Sequence, residues 1–265
     1  MLFRSPKIQI AYICPPLDEV FSVSGGLVTG PLTSTVTYQT RNEADRWRSQ
    51  PLSVDENLKI GDNFEFRTIY LYDFNEDTPY SLTSSARLWY LTGNFQAKYT
   101  EPYTYAGAGS GWLKKADKEF IPSSAAVGLK YSLKPEPVWK NRVLLSADVT
   151  GDWQMNLVQY TEAALTFGLT FTFSIHRFLD VKFSSLSKNT MMYQYFPGYA
   201  EGVGREWRNP LTDLLKSFNF FNTDDRYESN FKLSTISFEV VHHLDDWDLS
   251  VAYSGKPELV TDASG

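Results

Sequence analysis

Residues 163–175 read Ala-Ala-Leu-Thr-Phe-Gly-Leu-Thr-Phe-Thr-Phe-Ser-Ile. Every second residue, Ala163, Leu165, Phe167, Leu169, Phe171, Phe173 and Ile175, is apolar, and those between are small and mostly hydroxylated. Period two means an extended strand, because successive side chains leave opposite faces of a sheet. A helix would scatter the same residues around its cylinder and would use Thr, Phe and Ile against their propensity. The segment is also long. Strands in soluble domains run about 5–6 residues, whereas a strand crossing a bilayer at a steep tilt needs roughly 9–11. Two environments fit: the half-buried strand of a soluble sandwich, or a strand with one face to lipid and one to a wet lumen.

The neighbouring segments bear on that choice. Alternation recurs at Leu32–Gln39, Phe64–Tyr72, Ala125–Leu133, Val143–Thr150, Leu179–Ser184, Phe231–Val240 (with a one-step phase slip) and Trp247–Tyr253. Residues 82–99 read as one extended stretch whose apolar set changes face near Leu88–Leu91, through a bulge or an end buried on both sides. This predicts about nine or ten strands. The connections sort by length. Asp73–Tyr80, Pro135–Lys140, His176–Phe178 and His243–Asp246 are short; Glu43–Gly61, Glu101–Pro122 and Gln194–Glu228 are long. If every strand reverses direction, the short ones share one end, apart from a short exception near Asn156. Outer-membrane barrels pair tight periplasmic turns with long outer loops. Phe74, Tyr80, Trp139, Phe178 and Trp247 beside the short turns resemble an interfacial girdle. One short helix is predicted in the longest loop. Asn209-Pro210 supplies its cap and first residue, and Leu211, Leu214, Leu215 and Phe218 its apolar stripe, to fold over a barrel rim or to dip into a leaflet.

Composition narrows the partners. Among 265 residues no run of 18 is apolar and 21% are charged, which a barrel tolerates because its lumen face dilutes its lipid face. A net charge of −6 without a Lys/Arg cluster argues against nucleic acid. The single Cys14 excludes an internal disulfide. Leu2–Lys7 lack the apolar core of a signal peptide, which taken literally gives a cytosolic protein; the alternative is that the 265 residues are one piece of a longer chain. His242-His243-Leu244-Asp245-Asp246-Trp247-Asp248 gathers metal-ligand types, but adjacent strand residues point apart and Asp-rich turns are ordinary, so no metal is expected. Residues 107–111 are Gly-rich without the Lys-Ser/Thr that phosphate binding needs, and His176 has no nucleophile at a recognisable spacing. No catalytic residue and no cofactor are expected.

From about Leu165 the wording becomes familiar. Residues 171–190 (F-T-F-S-I-H-R-F-L-D-V-K-F-S-S-L-S-K-N-T), Y-F-P-G-Y at 195–199, N-P-L-T-D-L-L-K-S-F at 209–218, and S-N-F-K-L-S-T-I-S-F-E-V-V-H-H-L-D-D-W-D-L-S-V-A-Y at 229–253 resemble the C-terminal barrel of the LptD (OstA/Imp) family. These are lipopolysaccharide-assembly outer-membrane proteins, and the likeness is greatest to divergent spirochaete members. It covers roughly residues 165–259. It implies an outer-membrane barrel holding a plug lipoprotein, fed with lipid-anchored glycan by periplasmic bridge proteins and opening laterally to the outer leaflet. The family's N-terminal jellyroll, its multiple cysteines and a final aromatic-ended strand are not evident.

Together these observations set the expectations. The fold is all-β: an antiparallel up-and-down transmembrane β-barrel, with residues 1–265 part of one barrel domain, a fragment lacking the jellyroll and the last strands. Leu165, Phe167, Leu169, Phe171, Phe173 and Ile175 face lipid; Thr166, Thr170, Thr172, Ser174, Lys182 and Ser184 face the lumen. The protein is a non-enzymatic transporter part in the outer membrane, with lipids and a lipopolysaccharide-like glycolipid as partners. The alternative is a soluble β-sandwich, a carbohydrate-binding module or glycosidase using Trp and Tyr for sugars.

Overall fold

Alternation becomes hairpin pairing throughout. The computed structural model describes residues 7–13, 19–43, 46–107, 109–217, 219, 222–244 and 246–256. They form β1 (Lys7–Ile13), β2 (Val20–Thr29), β3 (Leu32–Glu43), β4 (Arg46–Ser49), β5 (Leu52–Ile60), β6 (Phe64–Asp73), β7 (Thr78–Leu88) and β8 (Leu91–Thr100). Then come β9 (Tyr103–Tyr105), β10 (Trp112–Lys114), β11 (Glu119–Val138), β12 (Val143–Asn156), β13 (Ala163–Ile175), β14 (Leu179–Asn189), β15 (Lys232–His243) and β16 (Asp248–Gly255). A 3-10 turn at Met192–Tyr195 and helices α1 (Pro197–Gly202), α2 (Pro210–Ser217) and α3 (Thr223–Glu228) lie between β14 and β15. The fold is all-β and its large sheet is antiparallel, with strands ordered as in the chain; β4 pairs back onto β3, and β9 with β10 forms a separate hairpin. Among the described residues no pairing joins β1 to β16, so the strand path is open. The chain divides into two units, residues 1–126 with 156–159, and 127–155 with 160–265.

In the first unit the turns Gly30–Pro31, 61–63 and Trp89–Tyr90 close hairpins at one end. Gly30 and Gly61 take φ of 57° and 61°, where a side chain is disfavoured. The other end carries the longer connection that holds β4, the turn at Phe74–Asp77 and the β9–β10 hairpin. One face reads Leu52, Val54, Leu58 and Ile60 on β5, then Phe64, Phe66, Tyr70 and Tyr72 on β6. The opposite face is ionic: Arg67 pairs with Asp55 at 2.6 Å and Arg87 with Glu65 at 2.9 Å. Ala97 is the one buried apolar side chain among the described residues of this unit.

The second unit is sorted in the same way. Trp139–Arg142, His176–Phe178 and 244–247 close its hairpins at one end, while the connection 190–231 stands at the other. Trp139, Phe178 and Trp247, one in each short turn, are all exposed.

Two expectations need correction. The strands outnumber the nine or ten predicted. Polar β5 lies inside the supposed long loop 43–61, and residues 82–99 are not one strand but the hairpin β7–β8. Trp89 makes that turn at φ 51°, without the Gly, Asn or Pro that would have announced it. These two extra reversals change the parity of the first unit. Phe74 and Tyr80 therefore stand with its longer connections, and Trp89 and Tyr90 take the short-turn end.

Candidate functional site

Pairing in the second unit builds two chemically opposite faces. On one, Leu145, Phe173, Val181, Val240 and Val251 lie in a row across β12–β16; Ala147, Phe171, Phe183, Phe238 and Tyr253 form the next. On the other, Ser146, Thr172, Lys182 and Glu239 align, then Asp148, Thr170, Ser184, Ser237 and Ser254. Leu165, Phe167, Leu169, Phe171, Phe173 and Ile175 share the first face; Thr166, Thr170, Thr172, Ser174, Lys182 and Ser184 share the second. The ten steps from Leu165 to Ile175 span roughly 33 Å at about 3.3 Å each, or about 25 Å at a 40° tilt, the height of a barrel's apolar band.

None of the residues in those two apolar rows is buried. In a sandwich they would pack against a second sheet about 10 Å away. Burial concentrates instead at the loop end, at Met155, Ala163, Met192, Tyr195, Ala200, Phe231 and Leu233.

There the connection 190–231 folds over the apolar face as a cap. Along β14 that face changes from Leu179, Val181 and Phe183 to Ser185, Ser187 and Asn189, all three of the latter buried. Asn189 anchors the cap. Its Oδ1 accepts from the Met191 N–H at 2.7 Å and its Nδ2 donates to the Tyr195 hydroxyl at 2.6 Å. Tyr195 donates in turn to the Asp213 carboxylate, which also accepts from the Asn230 N–H at 3.0 Å and lies 3.6 Å from Arg208. Ser229 donates to the Asp213 carbonyl at 2.8 Å, and Asn230 Nδ2 to Gln194 Oε1 at 2.8 Å. Tyr195 stacks on Phe231, and Phe196 leans on Trp153. Burial first, and the Asp213 hydrogen bond second, push the Tyr195 phenol far above its ordinary pKa. A buried polar network of this kind is costly to leave half-made, so it fixes the cap in one arrangement.

The expected helix is α2, but it is one of three among the described residues of this connection rather than the single helix predicted. Asn209 Oδ1 accepts from the Leu211 and Thr212 N–H groups at 3.0 and 3.3 Å, as an N-cap should. Its orientation is the reverse of a helix that packs through its leucines: Leu211 and Leu215 point out, while Asp213 and Ser217 are buried. Phe218 lies outside the described residues.

The polar face carries a shallow depression of about 180 Å³ around Gly168, lined by Asp148, Thr150, Thr170, Ser184, Thr235 and Ser237. A Cβ on Gly168 would come within 2.5 Å of Thr150 Oγ1, so the missing side chain makes the notch. On the same face His243 sits between Asp248 (2.9 Å) and Asp180 (3.2 Å), whereas His242 faces the other way, edge-on to Phe178. Asp245 and Cys14 lie outside the described residues, among which no group of three or more His, Cys, Asp or Glu could hold a metal. Of the Gly-rich run, Gly107 and residues 109–111 lie in the connection of the β9–β10 hairpin, where the Ala106 N–H donates to the Gly111 carbonyl; Ala108 lies outside the described residues.

The sequence reading missed Asn189, Tyr195 and Asp213. The signal was present in β14, where alternation persists but its residues become Ser185, Ser187 and Asn189. A small polar series on an otherwise apolar face marks a change in what covers it, here the folded connection. Comparisons with protein-family models and with curated proteins find no match for the chain.

Proposed function

We propose that the chain is part of an up-and-down transmembrane β-barrel in an outer membrane, of the type that helps insert lipid-anchored glycan into the outer leaflet. One observation carries the membrane reading: an apolar face continuous over five strands, unburied, back to back with a polar face. Lipid is the medium that suits such a face, and strand pairing satisfies the backbone groups that lipid cannot. Exposed aromatics at the short turns support it, as interfacial residues do. The glycolipid part rests on the resemblance over residues 165–259. The work is physical rather than enzymatic: apolar residues solvate the barrel in acyl chains, and the hydroxyl-rich face gives a sugar a wet path. A plug lipoprotein and periplasmic bridge proteins are the partners this reading brings with it.

The test is topology in cells. In a Cys14→Ser background, Glu206→Cys should react with a membrane-impermeant thiol reagent on intact cells, and Arg177→Cys only after permeabilisation. Depleting the protein should leave newly made lipid-anchored glycan short of the surface. Recovery of the chain in the buffer-soluble fraction without detergent would sink the reading in favour of a soluble sandwich.

A further inference from the structure

Helix α2 is turned inside out for a helix on a water-facing surface. Leu211 and Leu215, one turn apart, are 71% and 72% exposed, while Asp213 and Ser217 on the opposite side are 4% and 2% exposed. The inversion is built in. Asp213 is held by Tyr195 and Asn230, and Ser217 Oγ donates to the Leu214 carbonyl at 2.6 Å. Rolling the leucines inward would break the network that anchors the cap to Asn189. Trp207 just before the helix, about half exposed, gives its Nε1–H to the Tyr195 carbonyl at 3.2 Å, which satisfies its polar end and leaves the ring outward. Arg208 and Lys216 flank the leucines. A short helix with two outward leucines, an adjacent Trp and bordering cations suits the boundary between headgroups and acyl chains.

The position of the cap says what lies against these leucines. It covers the loop end of the apolar face, over Met155, Ala163, Asn189, Phe231 and Leu233, and not the polar face. That puts α2 on the same side of the sheet as the Phe171 row, where that row's apolar band gives way to Ser185, Ser187 and Asn189. Placing the cap inside a lumen instead would turn Asp148, Asp180, Lys182, Lys188 and Glu239 toward acyl chains, which is costly. We propose that Leu211, Leu215 and Trp207 seat in the headgroup–acyl boundary of the lipid leaflet on the loop side, so that the cap is a membrane-surface anchor. This rests on the reading of the sheet as membrane-crossing.

The experiment separates the two. The full chain in the Cys14→Ser background is reconstituted in phosphatidylcholine–phosphatidylglycerol vesicles. Bimane is attached at Leu211→Cys, Leu215→Cys, Phe171→Cys or Arg177→Cys, and quenching is read with nitroxide lipids labelled near the headgroup or deep in the chain. Bimane at 211 and 215 should emit at shorter wavelength than at 177 and be quenched several-fold more by the shallow nitroxide than by the deep one. The probe at 171 should be quenched by lipid at greater depth. Quenching at 171 with water-exposed probes at 211 and 215 overturns the anchor and leaves the barrel reading standing. Absence of quenching at 171 overturns the barrel reading and the anchor with it. Probes at 211 and 215 shielded from water but unquenched, in a species of dimer mass, show a second copy as the occupant and also overturn the anchor.

Discussion

Strand β14 spends one face in two ways. Near the His176–Phe178 turn it presents Leu179, Val181 and Phe183, none of them buried. Near the cap it presents Ser185, Ser187 and Asn189, all three at 6% exposure or less. The usual association of apolar with inside and polar with outside is reversed along a single strand. The difference shows that burial here comes from a folded connection, not from a second sheet. Where no connection reaches, the face stays apolar and unburied, which the proposed membrane reading accounts for by lipid.

The largest expected effect tests the apolar half. Phe171→Arg should destabilise the folded, lipid-inserted protein by roughly 2–4 kcal/mol, as a charge on a lipid-facing midplane position does, and Thr170→Arg by far less. Denaturant titration of folding into vesicles measures both, and equal losses would erase the distinction between faces.

A smaller effect tests the capped half. Asp213→Ala strands the Tyr195 hydroxyl and the Asn230 N–H, at a cost of about 1–3 kcal/mol. Hydrogen exchange should rise across residues 190–231 while β13 and β14 stay protected. A rise spread evenly over the strands would mean that the two halves are one cooperative element.

The smallest effect is pH-dependent. An unfolded tyrosine loses its proton near pH 10, and buried Tyr195 holds it to much higher pH. Above about pH 10 the folded state therefore binds more protons than the unfolded one, and stability falls as pH rises. Tyr195→Phe should remove that part of the alkaline slope in cap opening. An unchanged slope would place the titration elsewhere.

Much of the fold was legible because alternation is a direct print of the pleat: β3, β6, β11–β14 and β16 stand where their periods put them. β5 was hidden because Asp55, Glu56, Asn57 and Lys59 read as loop. On the sheet, Asp55 is matched by Arg67 across the strand gap, a pairing invisible before the register is known. The Trp89–Tyr90 reversal was hidden because a bulky residue at positive φ carries no turn signature. In α2 the leucine spacing revealed which residues share a face, but not what the face meets. That depended on Asp213 finding Tyr195, eighteen positions away, and on both finding Asn189. Which of the twelve residues share a side needed only local parity, whereas the cap network needed long-range closure.

Between Leu186 and Ser187 the β14–β15 register slips: Leu186 faces Thr235 and Ser187 faces Leu233, with Ser234 left over and its Oγ donating to the Leu186 carbonyl at 2.9 Å. That surplus residue acts as a frame adjuster. It lets Leu233, under the cap, and Ile236, Phe238 and Val240 keep to one side although they fall out of step in the text. Insertions and deletions should therefore have sharply different fates within a few positions. A residue gained or lost in the connection before β15 changes only a length. One lost at Ser234 would only remove the bulge and leave Leu233, Ile236, Phe238 and Val240 on one side, whereas one lost at Ser237, past it, transposes every later side chain of the strand, setting Glu239 where Phe238 belongs, and leaves a polypeptide of nearly identical composition written for the opposite side of the sheet.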